Sequence, residues 1–83
     1  MMEEKLQRLL SNKGTPEWCG LLEMVIGQIG NYMIRKWDYE LAEKYHPDIF
    51  KFTVEDFMRA ERVEDIPKDW LAYVYACMES VGL

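Results

Sequence analysis

Thr15 to Tyr45 is the longest uninterrupted pattern in the chain, and it reads as one helix with a signal at each end. Thr15-Pro16-Glu17 supplies a hydroxyl to cap free N–H groups, a proline for the first helical position, and an acid beside the positive helix end. His46-Pro47 is the stop, because proline disfavours helical geometry in the residue before it. At 1.5 Å per residue such a helix is roughly 45 Å long, more than the width of a globule of this size. It must bend, protrude or pair.

Its apolar pattern changes partway. With Trp18 at zero and a turn of 100° per residue, Leu21, Leu22, Val25, Ile26, Ile29, Tyr32 and Met33 fall within about 80° of Trp18. Beyond Met33 the stripe moves to Ile34, Trp37, Leu41 and Tyr45, which predicts one helix over 16–45 with a bend near Gly27–Lys36.

Around it the sequence predicts three further helices. Residues 2–12 place Glu3 and Glu4 early, Leu6, Leu9 and Leu10 on one side, and Gly14 just past the end. Residues 54–62 begin with Thr53 and Asp56 in capping-box register, with Phe52 positioned to staple onto Phe57. Residues 67–81 open at Pro67 and carry Trp70, Leu71, Tyr73, Val74, Cys77, Met78 and Val81 over a wide apolar arc ahead of Gly82. The expected fold is all-α, a single domain over 1–83 of four helices packed around one long, bent helix.

Composition bounds function by exclusion. A chain of 83 residues, 49% hydrophobic and 13% aromatic, can form a core and is not a disordered tail. Cys19 and Cys77 lack CxxC spacing, which points to two free thiols in a reducing cytosol. Met-Met-Glu-Glu-Lys is acidic where a signal peptide is basic, and the most apolar run is interrupted by Glu23, Gln28 and Asn31. A cytoplasmic location with no membrane partner is expected. Residues 1–37 carry a net +1 and residues 38–83 a net −6, together the formal −5. An acidic C-terminal half repels phosphate backbones, so no nucleic-acid partner is expected, while a basic protein surface or a divalent cation suits it.

Two carboxylate patterns bear on chemistry. Glu40, Glu43 and His46 include one Glu-x-x-His pair, half of what a helical di-iron site needs, in a chain with a single histidine. Glu40-x-x-Glu43, seventeen residues, then Glu61-x-x-Glu64-Asp65 resembles the acidic pairs of the all-α MazG-type nucleotide pyrophosphohydrolases. In that family four carboxylates on two helices hold magnesium against a triphosphate, so the resemblance implies a metal-dependent enzyme using Glu40, Glu43, Glu61 and Glu64 as the alternative function. The likeness covers only these acids. The second pair straddles a predicted helix end, and Glu64 stands where the family has Asp. Helix-surface charge beside Arg59 and Arg62 explains the same residues. No Gly-rich phosphate loop or nucleophile–histidine arrangement emerges, and no cofactor is expected.

The back of the long helix is unusual in another way. Gly20, Met24, Gly27 and Asn31 line up opposite the Trp18 stripe, where each Gly costs about 1 kcal/mol relative to Ala. Small residues there let a second backbone approach, so these four are the candidate self-association residues of a homodimer; marking the bend is the competing role for the glycines. Trp37, Tyr39, Tyr45, Phe50 and Tyr75 are the candidate partner-binding anchors, with core packing the competing role for each. The function expected is that of a small acidic cytosolic interaction module, an adaptor or inhibitor docking a helical aromatic- and Met-bearing surface on another protein. Small acidic single-domain proteins of this size are often inhibitors or adaptors, including ones encoded by phages and mobile elements, an analogy that rests on size and charge alone.

Overall fold

A computed structural model describes residues 1–36 and 51–83. Among the described residues the fold is all-α: α1 (Met2–Ser11), α2 (Pro16–Lys36), α3 (Val54–Arg59) and α4 (Lys68–Ser80), with a 3-10 turn at Val63–Asp65. There is no strand among them.

The predicted boundaries hold where local chemistry is strong. Thr15 Oγ accepts the Trp18 N–H at 3.3 Å and donates to the Asn12 carbonyl at 3.2 Å, so one hydroxyl closes α1 and opens α2. Pro16 takes the first helical position. At Thr53 the capping box forms in full: its Oγ accepts the Asp56 N–H at 3.2 Å, and the Asp56 carboxylate accepts the Thr53 N–H at 2.9 Å.

α4 ends on Gly82 at φ +79°, with Gly82 N–H on the Glu79 carbonyl and Leu83 N–H on the Met78 carbonyl. That paired closure is a Schellman motif, and its left-handed position requires glycine.

Other boundaries move. α1 is closed by Asn12, whose N–H returns to the Leu9 carbonyl, and Gly14 does not adopt a positive φ. Pro67 caps α4 from outside the helix. α3 stops at Arg59 rather than Arg62, because the next groups are engaged elsewhere. The Ala60 carbonyl accepts from Lys13 Nζ at 2.7 Å, and the Glu61 and Arg62 N–H groups both reach the Asp65 carboxylate. The backbone is held in a turn before it can wind further.

α2 runs unbroken through Gly27 and Gly30 to Lys36, 21 residues. The predicted continuation to Tyr45 lies outside the described residues.

The core forms where α2, α3 and α4 meet over α1. Leu6, Leu21, Val25, Phe57, Val74 and Met78 are fully buried, and no described polar or charged residue is buried with them. Trp18 of α2 lies 5.3 Å from the Phe57 ring, which in turn sits 6.3 Å from Trp70 of α4. Phe52 meets Trp70 edge-on at 5.1 Å, so its ring anchors on α4 as well as serving the α3 entry. The Tyr73 hydroxyl donates to the Val25 carbonyl and ties α4 to the middle of α2.

Candidate functional site

The surface of α2 follows from how that helix is rotated. Among the α2 residues whose burial is described, 16–29, the buried ones are Trp18, Leu21 and Val25. On a 100° wheel they lie at 0°, about 300° and about 340°, so the core side is displaced by tens of degrees from a stripe centred on Trp18. Two expectations change in consequence. Met24, read as part of the back, is half-buried and packs against the core. Ile26, read as core, is 51% exposed. The reason is geometric: α4 is the main neighbour of α2, and it covers the Leu21–Val25 side through Tyr73 and the Trp70 cluster.

What this leaves open is an apolar edge. Cys19 is exposed, Leu22 and Ile29 are half-buried, and Ile26 stands between them. Their spacing of i, i+3, i+7 and i+10 puts all four on one side of the helix. Gly27 lies further round the helix, about 100° from Ile26, and is itself exposed, and a Cβ built on Gly20 or Gly27 would meet nothing within 4 Å. Helix backbone is therefore approachable along this part of α2. Asn31 belongs to the same helix; its side chain lies outside the description, as do the four anchors Trp37, Tyr39, Tyr45 and Phe50.

Tyr75, the remaining anchor, is half-buried on α4 and packs against the core. Burial raises its phenol pKa, and the Glu3 carboxylate of α1 raises it further.

Glu61 and Glu64 are exposed, Glu61 in the break after α3 and Glu64 within the 3-10 turn, not on one continuous helix face. Glu40, Glu43 and His46 lie outside the described residues. Among the described residues no group of three or more His, Cys, Asp or Glu side chains could hold a metal ion. Asp65, the acid next to Glu64, spends its carboxylate on the Glu61 and Arg62 N–H groups.

The two thiols differ. Cys77 is buried, which pushes its pKa up against the lowering effect of a side-chain hydrogen bond with Tyr73, whereas Cys19 is exposed. No described helix is long and apolar enough to cross a membrane. An open cleft of about 320 Å³ lies between α1, the start of α2 and the C-terminal turn of α4, with Lys5, Arg8, Glu17 and Leu83 among its lining residues.

Sequence reasoning missed three residues that position these surfaces: Gln7, Lys13 and Asp65. Each reads in a sequence as one more polar side chain facing water, because its partners are backbone groups and, for Gln7 and Lys13, backbone groups far along the chain. No protein-family model matches this chain, and comparison with curated proteins and with solved structures finds no match.

Proposed function

We propose that this chain is a non-enzymatic protein–protein interaction module, an adaptor or inhibitor that docks the outer edge of its long helix on a partner protein. The observation that carries the proposal is Ile26, 51% exposed within a row formed with Cys19, Leu22 and Ile29. A single exposed apolar side chain is ordinary on a protein surface. Two exposed residues, Cys19 and Ile26, aligned with half-buried Leu22 and Ile29 form the kind of strip that another helix covers, and the open backbone of Gly27 lies further round the same helix. Aromatic residues close by in the sequence, Trp37, Tyr39, Tyr45 and Phe50, are the proposed anchors, and the acidic C-terminal half steers toward a basic partner surface. The same edge is the proposed contact between two copies of the chain, and the cytoplasm its proposed location.

The test uses Ile26→Asp and Gly27→Leu. Wild-type protein is run in sedimentation equilibrium across a wide concentration range and, immobilised, is used to capture partners from cell lysate. Each variant should weaken the association seen by at least tenfold with the far-UV helical signal intact. A wild-type chain that stays monomeric at all concentrations, and captures the same proteins as both variants, would eliminate this edge as a docking surface.

A further inference from the structure

We draw no further inference here: the strongest candidate, the open cleft between α1, the first turn of α2 and the C-terminal turn of α4, sets the exposed cations Lys5 and Arg8 beside the carboxylate of Glu17 with no buried polar group, and nothing in the structure shows what covers it.

Discussion

At the scale of single residues, two glycines of the same type have opposite meanings. Gly82 closes α4 at φ +79°, in the left-handed region where a Cβ crowds the carbonyl. Gly82→Ala should therefore cost about 1 kcal/mol in urea unfolding. Gly27 sits inside α2 with open space where a Cβ would go. Gly27→Ala should raise stability by up to about 1 kcal/mol in dilute solution, through helix propensity and a less free unfolded chain. Equal responses at the two sites would mean that backbone conformation does not separate them. Thiol chemistry divides by burial in the same way. One thiol, Cys19, should react rapidly with a disulfide reagent in the native protein, and Cys77 only at the rate of unfolding. Because the folded pKa of Cys77 is raised, its contribution to stability is complete below the unfolded thiol pKa and is lost as pH rises through the folded one. A second thiol labelled as fast as the first at neutral pH would contradict the burial of Cys77.

At the scale of elements, α3 shows how much a short helix depends on its entrance. Six residues cannot hold a helix by propensity alone, so α3 relies on Phe57 in the core and on the Thr53–Asp56 box. Thr53→Ala should destabilise the protein by about 1 kcal/mol. The Asp56 carboxyl is held below its ordinary range, first by the Thr53 backbone N–H, then by the Thr53 hydroxyl. Its contribution is thus present above the unfolded aspartate value of about 3.9 and lost as pH falls through the lower folded value. The stability difference between wild type and Asp56→Ala should shrink in acid and stay constant from pH 5 to 7; a difference unchanged at pH 2 would show that the box carries no charge-dependent part. Signals of this kind were legible in the sequence because they are local: Thr15-Pro16, Thr53 with Asp56, and Gly82 each act within a few residues. The rotation of α2 was not legible. Trp18 lies at the margin of the covered arc, and only the position of α4 decides that Met24 turns inward and Ile26 outward. The end of α3 was hidden for the same reason, since Lys13 and Gln7 reach it from far along the chain. Of the candidate site, Gly20 and Gly27 have open space where a Cβ would go, and Tyr75 is half-buried against the core.

At the scale of the molecule, long-range polar contacts hold the N-terminal and C-terminal halves in register around an apolar core. Lys13 reaches from the α1–α2 turn to the Ala60 carbonyl and stands 5.7 Å from the Trp18 ring centre, joining a charge-assisted hydrogen bond to a cation–π contact. Gln7 makes the more specific link. Its amide nitrogen donates to the Glu61 carbonyl at 3.0 Å while its amide oxygen accepts the Val63 N–H at 3.1 Å. A backbone N–H can only donate and a carbonyl can only accept, so this orientation of the amide is the one the partners demand. Gln7→Leu leaves the part-buried Val63 N–H without its acceptor and should cost about 1–3 kcal/mol. Gln7→Glu is the sharper probe. Ionised, it can still accept from Val63 N–H but sets negative charge against the Glu61 carbonyl; protonated, it regains the missing donor. Its folded pKa is therefore raised, and the stability it restores is present below the unfolded carboxyl value and lost as pH rises through the folded one. Measured as a difference from wild type, so that the acid loss at Asp56 cancels, the Gln7→Glu penalty should fall as pH drops from 7 to 3. A penalty flat across that range would mean that the amide does not bind the connection through both its atoms.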